Sequence, residues 1–407
     1  MTQHTCHLAL NPAADKSAPY GAAQSGVIDD DAHEKARATI SRWPGYKATP
    51  LVSLPGIARE TGVGEIHYKN EAGRFNLGSF KALGGAYAVA QLLMLEVTRQ
   101  MPDTTLSPQS ILSGDYAGIV SGITVCCATD GNHGRSVAWG AQTYGCKCVI
   151  FIHATVSEGR AKAIEAFGAK VVRTAGNYDD SVREAQEAAE KNGWFVVSDT
   201  SYEGYVDIPR DVMTGYTVMA AEADEQTPYD APPTHIFIQT GVGGLAAAVA
   251  SEFWRRYGPE RPTIILCDPD NAACWWESYK SGSPTAVHGD LETVMAGLAC
   301  GEVSILAWTI LEPGADAVMT ITDAEAKACM RMLADGGFGD APMVAGESAV
   351  AGLAGLLGAA GDEDARKTLG LTDESRILLF GSEGATDPAI YQEIVGRPAS
   401  EISRTGN

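Results

Sequence analysis

A chain of 407 residues with 45% apolar and 20% charged residues is typical of a globular protein with enough apolar material for two lobes. The formal net charge of −21 argues against nucleic acid or an anionic membrane surface as a partner, because both are bound by clustered Lys and Arg. No apolar run reaches the roughly 18 residues of a membrane span, no signal peptide is visible, and nine Cys without a CxxC pair favour reduced thiols and no metal site, so a cytoplasmic location is predicted.

Short β-rich runs alternate with helical runs from about residue 44, after a mixed, polar stretch over 1–40 that is predicted to be a loosely packed lead-in. We predict strands over 125–130, 146–153, 169–174, 194–199, 235–240 and 263–268, and a strand with its turn over 376–384. Helices are predicted over 134–145, 157–168, 179–193 and 245–258. This alternation predicts an α/β fold with parallel sheets covered by helices, in which ligands bind at the carboxyl ends of the strands.

The segment EAGRFNLGSFKALGGAYAV (71–89) places Lys81 in an apolar, glycine-rich surround. Partial desolvation lowers the pKa of an amine and makes it a nucleophile toward an aldehyde. The same residue could also be an ordinary lysine whose stem lies along apolar surface near a helix start.

The segment ATDGNHGRSVAWGA (128–141) ends a strand, turns at a glycine and opens a helix. Asn132 can offer its amide to a ring hydroxyl or a carboxylate, and the backbone N–H groups of a helix N-terminus favour an anion. Asp130 stands in the same turn, where it could also serve simply as the helix cap.

The segment IFIQTGVGGLAAAVA (236–250) feeds a buried strand into a glycine-rich turn and a helix of small residues. Bare N–H groups at a helix N-terminus form a phosphate cradle. The pattern Gly241-x-Gly243-x-x-Ala246 also fits a dinucleotide fingerprint, and Asp268 ends the next strand where a ribose-binding acid would stand. The segment alone therefore leaves a nicotinamide cofactor open.

The segment LLFGSEGATD (378–387) puts Ser382 directly after a buried strand. Its hydroxyl could form a hydrogen bond with a pyridine nitrogen, or it could belong to an ordinary Ser turn.

The four segments, in this order, resemble the fold-type II pyridoxal-phosphate (PLP) enzymes, which include the serine and threonine dehydratases, cysteine synthase and the tryptophan synthase β chain. The resemblance implies that Lys81 holds PLP as a Schiff base and that the ring and phosphate are bound by Asn132, Gly241, Val242, Gly243, Gly244, Leu245 and Ser382.

Two departures from the dehydratases narrow this resemblance. Leu83 stands where they usually carry Arg, and Asp130 stands where they usually carry Ser. The blocks GRFNLGSFKALGGAYA, TDGNHGRSVAW, GNYDDSV, DTSYEGY, IPRDVMTGY, MAGLACGE and AGESAVAGL are similar to diaminopropionate ammonia-lyases, from about residue 35 to 392.

That family converts D- and L-2,3-diaminopropionate to pyruvate and ammonia. By the resemblance, Lys81 and Asp130 are bases on opposite faces of the substrate α-carbon, which would let both enantiomers react. Asp199, which could also be a plain strand-end turn residue, is assigned to the substrate's β-ammonium or its departure. Substrate contacts are implied for Ser79, Thr129, Asp130, Gly131, His133 and Tyr178.

The resemblance also implies a homodimer and two α/β lobes with parallel-rich twisted sheets. The larger, PLP-binding lobe is predicted over 1–92 and 206–407, and the smaller, inserted lobe over 93–205. Cys274 and Cys300 align with a pair that can form a disulfide in the family, although two free buried thiols fit a reducing cytoplasm better.

Other functions remain open from the sequence. Gly78 and Ser79 differ from the family pattern and could reshape the pocket for another 3-substituted alanine or a β-hydroxy amino acid. A β-replacement synthase, a non-catalytic PLP-binding relative and an NAD(P)-binding oxidoreductase are further alternatives. A yellow colour would separate a PLP protein from a nicotinamide protein.

Overall fold

The computed structural model describes residues 7–129, 131–176, 178–228 and 232–402, with the side chain of Asp179 also left out of the description. Within these residues the strands are β1 Leu8–Leu10, β2 Leu51–Ser53, β3 Glu65–Asn70, β4 Thr124–Ala128, β5 Lys147–Ile152, β6 Lys170–Arg173, β7 Phe195–Val196, β8 His235–Gln239, β9 Thr263–Pro269, β10 Ala317–Ile321 and β11 Arg376–Gly381.

The helices come between these strands, as the alternating pattern predicts. The α-helices are α1 Ala22–Ser25, α2 Asp30–Ile40, α3 Pro55–Thr61, α4 Lys81–Gln100, α5 Pro108–Leu112, α6 Ala117–Val120, α7 Asn132–Tyr144, α8 Glu158–Glu165, α9 Tyr178–Asn192, α10 Asp207–Glu225, α11 Gly244–Tyr257, α12 Cys274–Ser281, α13 Ile305–Gly314, α14 Asp323–Asp335, α15 Ala351–Gly361, α16 Glu363–Leu369, α17 Pro388–Val395 and α18 Ala399–Ile402. Short 3₁₀ turns cover Glu71–Asn76, Gly258–Glu260, Asp270–Ala272, Ala296–Leu298, Gly337–Gly339 and Ser348–Val350.

In the described part of the chain, no helix combines the length and the apolar character that crossing a membrane requires.

The chain divides into two compact units. The first unit comprises Met1–Asp29, Ala48–Ser79 and Met219–Asn407, as far as these are described, and the second comprises Asp30–Lys47 and Phe80–Val218. The lobe boundaries predicted from the sequence stay a prediction.

The first unit is built on a seven-stranded sheet in the order β1-β10-β9-β8-β11-β3-β2. Its five inner strands run parallel, and the edge strands β1 and β2 pair antiparallel with their neighbours. The inner strands are apolar on both faces, as expected where helices cover both sides of a parallel sheet. Because the inner strands run parallel, the carboxyl ends of β8, β9 and β11 lie at one edge of the sheet.

The second unit contains a four-stranded parallel sheet in the order β6-β5-β4-β7. Helix α9 buries Ala185 and Ala189 against Cys126, Val149 and Phe151 of this sheet. Helix α7 begins four residues after the last residue of β4, so the NHG motif lies at the carboxyl end of a strand, as predicted.

Strand β7 is shorter than the predicted 194–199. Beyond it, one phenol satisfies the strand's backbone groups: the Tyr205 hydroxyl donates to the Val196 carbonyl at 2.9 Å and accepts the Ser198 N–H at 3.0 Å. The chain therefore leaves the sheet just before Asp199 without burying unpaired peptide groups.

The prediction of a loosely packed lead-in over 1–40 is wrong for residues 7–40. Strand β1 pairs with β10, Ile28 is fully buried, and α2 buries His33 and Ile40. The His33 ring is held by the Thr217 hydroxyl at 2.7 Å. The composition of this stretch does not reveal its packing, because its partners, such as β10 for β1 and Thr217 for His33, are distant in the chain.

A buried charge network in the first unit precedes the lysine segment. The Arg74 guanidinium contacts Glu71 at 2.7 Å and Glu222 at 2.6 Å, and Lys69 Nζ lies 2.8 Å from Glu222. These four side chains are all at most 5% exposed. The network anchors a turn in which Phe75 and Asn76 have positive φ values of 49° and 59°, a conformation that costs free energy in residues other than glycine.

We therefore expect Arg74→Ala to reduce the free energy of unfolding by about 3–5 kcal/mol, because two buried carboxylates lose their common cation. Urea denaturation followed by circular dichroism measures this. The matched control is Arg99→Ala, which removes the exposed partner of Glu96 and should change stability by no more than about 0.5 kcal/mol. Similar losses from the two variants would contradict the role assigned to the network.

Candidate active site

Lys81 is the first residue of α4 and its ammonium is held by a carboxylate of the same unit. Lys81 Nζ donates to Asp199 Oδ2 at 2.6 Å, and both side chains are 19% exposed. The Phe80 ring centroid lies 5.3 Å from the same nitrogen. The amine is therefore partly desolvated and ion-paired, which does not fit a lysine whose charged end lies in bulk water.

Asp199 is ionised in this arrangement. Burial by itself raises the pKa of the carboxyl, but the charges of Lys81 and His133 and the hydrogen bond from Lys81 hold it well below its ordinary value. This carboxylate lies three residues beyond β7, at the strand exit that Tyr205 shapes. Asp199 is thus a fixed negative charge beside the reactive amine.

The His133 ring lies beside the same carboxylate. Its Nε2 is 2.7 Å from the Val197 carbonyl oxygen, which can only accept, so Nε2 carries the hydrogen. Burial lowers the pKa of His133 in spite of the nearby Asp199, which favours the neutral ring. Its Nδ1 then presents a lone pair 3.8 Å from Asp199 Oδ2, and no described residue forms a hydrogen bond with it. An N–H donor of a ligand fits between these two acceptors.

The turn that precedes α7 is closed by a threonine. The Thr129 hydroxyl accepts the N–H groups of Gly131 at 3.0 Å and Gly134 at 3.1 Å, so the Thr129 side chain caps the start of α7. Asn132 is the first residue of α7. Asp130, predicted to be a base, lies outside the described residues.

In the first unit, the segment Gly241–Leu245, called the glycine turn below, comprises the end of the turn after β8 and the first two residues of α11. Gly243 has φ of 100°, and a Cβ built on it would lie 2.3 Å from Trp275 Cζ2, so both its backbone conformation and its surroundings require glycine. The Trp275 indole N–H donates to the Gly241 carbonyl at 2.9 Å. Within the described residues no side chain caps the 14-residue helix α11, so the loop fits a phosphate at the helix N-terminus.

Asp268 is used inside the protein. It is fully buried and accepts the Thr240 hydroxyl and the N–H groups of Trp275 and Trp276, the last two at 2.8 and 3.1 Å. Burial raises the pKa of this carboxyl to about 7, although the three donors lower it. Because this carboxylate already accepts internal hydrogen bonds, it is not available to bind the ribose of a dinucleotide. The main support for the nicotinamide alternative is therefore removed.

Ser382 and Ser79 belong to neighbouring segments of the first unit. Ser382 is buried and follows β11 directly, as predicted. Ser79 is also buried and forms an antiparallel bridge with Glu383, and the Gly384 N–H donates to the Gly78 carbonyl at 2.9 Å. The residues just before Lys81 are thereby tied to the exit of β11.

Three other predicted residues lie as follows. Tyr178 begins α9, is 40% exposed, and its ring stands edge-on to His153. Cys274 Sγ donates to the Gly241 carbonyl at 3.5 Å, and a Cβ built on Gly241 would lie 3.1 Å from Cys300 Sγ. Both cysteines therefore flank the glycine turn, where they are free thiols.

The sequence did not reveal the Trp275 support of the glycine turn or the tautomer of His133. Neither leaves a local pattern, because each depends on a contact between elements distant in the chain. Among the residues that the structure describes, no group of three or more His, Cys, Asp and Glu side chains could hold a metal ion.

Comparison with known proteins identifies the family of this chain. The model of the pyridoxal-phosphate dependent enzyme family matches residues 42–379. The diaminopropionate ammonia-lyase of Salmonella typhimurium is 37% identical over 389 residues, 93% of this chain and 96% of that protein.

Solved structures of the diaminopropionate ammonia lyase from Escherichia coli are also similar. One, in complex with an aminoacrylate-PLP azomethine reaction intermediate, has a TM-score of 0.84 and 34% identity over 96% of this chain and 97% of that one. Another, in complex with D-serine, has a TM-score of 0.85 and 33% identity with the same coverage. The predicted α/β fold of fold type II and the predicted PLP cofactor are confirmed: the chain belongs to the pyridoxal-phosphate dependent enzymes and, among them, to the diaminopropionate ammonia-lyase family.

Proposed function

We propose that this chain is a carbon–nitrogen lyase that eliminates ammonia from D- and L-2,3-diaminopropionate, with pyruvate and ammonia as products. The observation that carries the proposal is the 2.6 Å ion pair between Lys81 and Asp199. It supplies, in one place, an amine for covalent attachment and a carboxylate shaped to hold an ammonium group.

The chain's residues fit PLP as the cofactor. Lys81 would hold its aldehyde carbon, the Gly241–Leu245 turn its phosphate, Asn132 its ring hydroxyl and Ser382 its ring nitrogen. When bound, PLP withdraws electrons from the substrate's α-carbon and makes the α-proton acidic. The uncapped N-terminus of α11 and the absence of a side chain at Gly243 support the assignment of the phosphate.

Asp199 explains why the leaving group would be an amine. The carboxylate already binds one ammonium group, that of Lys81. Once the nitrogen of Lys81 is engaged by the cofactor, a substrate that brings a second ammonium restores the charge pair. A β-nitrogen kept protonated in this way departs as neutral ammonia, whereas a β-hydroxyl has no positive charge for Asp199 to hold.

Lys81 would also act as a base. Freed by the incoming substrate, its amine can take the α-proton, and the resulting ammonium is stabilised by Asp199. Asp130 is proposed as the base on the opposite face, in the turn that also carries Asn132 and His133. Substrate contacts of Ser79, Thr129, Gly131, His133 and Tyr178 remain proposals; for His133 the support is its Nδ1, whose lone pair points toward Asp199.

A lyase that acts on a β-hydroxy amino acid is the second candidate. It is favoured by one observation, the D-serine complex of the Escherichia coli relative, which shows a hydroxy amino acid bound to that enzyme.

We further propose that the protein is a cytoplasmic homodimer. The resemblance to the family supports this proposal, and light scattering on the purified protein tests the oligomeric state.

The experiment that tests the function is pyruvate release from D- and L-2,3-diaminopropionate, assayed separately, with D- and L-serine and threonine alongside. Lys81→Ala provides the blank. Rapid release from both diaminopropionate enantiomers, well above release from the hydroxy amino acids, is the expected result. A yellow wild-type protein that is active only on serine or threonine would assign the second candidate instead.

Asp199→Asn should lower kcat/KM for diaminopropionate by about 100-fold, since a loss of about 3 kcal/mol is typical when a buried charge loses its partner. The loss on 3-chloroalanine, whose leaving group carries no positive charge, should be several-fold smaller. Asp207→Asn, at an exposed carboxylate, is the control and should leave both rates unchanged. Equal losses on both substrates would mean that Asp199 serves Lys81 alone.

Asp130→Asn should reduce the rate on the D enantiomer more than the rate on the L enantiomer, because an amide cannot accept the α-proton on the face assigned to Asp130. Steady-state pyruvate release from each enantiomer measures this. A proportional loss on both enantiomers would rule out two bases on opposite faces.

A further inference from the structure

A second polar group, which the sequence did not single out, lies beside the reactive amine. Tyr216 stands on α10, and the Lys81 nitrogen is 5.8 Å from its ring centroid. The ring packs against Phe80 at 4.6 Å between centroids. A Cβ at Gly84 would lie 2.4 Å from Tyr216 Cε1, so the glycine in the first turn of α4 makes room for this ring. All four residues belong to the second unit.

The Tyr216 hydroxyl is buried, and a hydrogen bond from Lys81 is among the causes that lower its pKa. The residue is 1% exposed, and none of the described residues forms a hydrogen bond with its oxygen within ordinary distance and angle limits. Buried tyrosine hydroxyls normally have a partner, because leaving one unpaired destabilises the protein. Packing alone would be served as well by Phe at this position.

The hydroxyl and the Lys81 ammonium already influence each other. Burial raises the pKa of Tyr216 well above its ordinary value, and the charge of Lys81 acts against this shift. The phenol therefore remains protonated at neutral pH. A neutral hydroxyl has one hydrogen to donate and lone pairs with which to accept.

We propose that Tyr216 is a positioning residue for Lys81, whose hydroxyl accepts a hydrogen bond from the charged nitrogen and donates one to the neutral nitrogen. This inference rests on the proposed function only in taking Lys81 as the reactive amine. Asp199 cannot play the same part, because an ionised carboxylate only accepts and so holds only the protonated form.

Together, Asp199 and Tyr216 would keep the Lys81 side-chain nitrogen oriented in both of its protonation states. Asp199 holds the ammonium form after the nitrogen has taken up a proton. Tyr216 retains the neutral state, in which the lone pair has to face the proton that it will remove. Among the described residues, His133, whose neutral ring is held by Val197, and Phe80, whose side chain carries no polar atom, also lie near this nitrogen.

The test is Tyr216→Phe in the PLP-loaded enzyme, since this change removes one oxygen and keeps the ring contacts with Phe80 and Gly84. We expect kcat for diaminopropionate to fall about 10- to 100-fold, as for the loss of a hydrogen bond to a charged group. KM should change less than about twofold, because the hydroxyl that is removed acts on Lys81 and not on the substrate.

A second measurement needs no substrate. The pH midpoint of the visible absorbance of the loaded protein should shift by about one unit in Tyr216→Phe, because the nitrogen loses a hydrogen-bond partner that differs in role between its two protonation states. The matched control is Tyr391→Phe, which removes another buried hydroxyl that lacks a partner among the described residues, in the first unit. It should move neither kcat nor the midpoint.

The outcomes separate the inference from the proposed function. An unchanged midpoint together with kcat within about twofold of wild type would overturn the role of Tyr216. A shifted midpoint in a protein whose wild type releases no pyruvate from diaminopropionate would support the role of Tyr216 and would contradict the proposed substrate.

Discussion

The contact between the Lys81 ammonium and the Asp199 carboxylate governs the chemistry of the second unit. A charge taken out of water is costly unless an opposite charge meets it, so each of these side chains makes the burial of the other possible. The pairing also fixes where the amine points. Tyr216, His133 and Phe80 then surround a nitrogen whose position is already set, and each can act on it in a defined way.

The first unit meets a different constraint, which is to hold a bare peptide turn in one conformation. A glycine turn supplies N–H groups but has no side chains to hold it in place. Asp268 anchors Thr240 and the start of α12, and Trp275 on that helix donates to Gly241 and fills the space beside Gly243. The carboxylate that resembled a ribose ligand is therefore a brace for the turn that we assign to the phosphate.

Charge is arranged differently around the segment that leads to Lys81. Arg74 joins Glu71 and Glu222 in a fully internal network, and the turn that follows holds two residues with positive φ. Beyond that turn, backbone contacts tie Gly78 and Ser79 to the exit of β11. The chain thus enters α4 from a segment that is held on both sides within the first unit. Precise placement of a reacting group depends on such support, because small displacements in a site cost large factors in rate.

The sequence by itself determined the parallel α/β character, the alternation of strands and helices over 125–268 and the glycine turn, because these depend on short periodic patterns and on residues with special backbone freedom. It also pointed to Lys81 and Asp199, since motif order and the resemblance single them out. Only the tertiary structure showed the packing of residues 7–40, the commitment of Asp268 to Thr240 and α12, the tautomer of His133 and the buried hydroxyl of Tyr216. Each of these features depends on contacts between segments that are distant in the chain. Such contacts cannot be inferred from secondary-structure propensity or from the spacing of residues along the sequence.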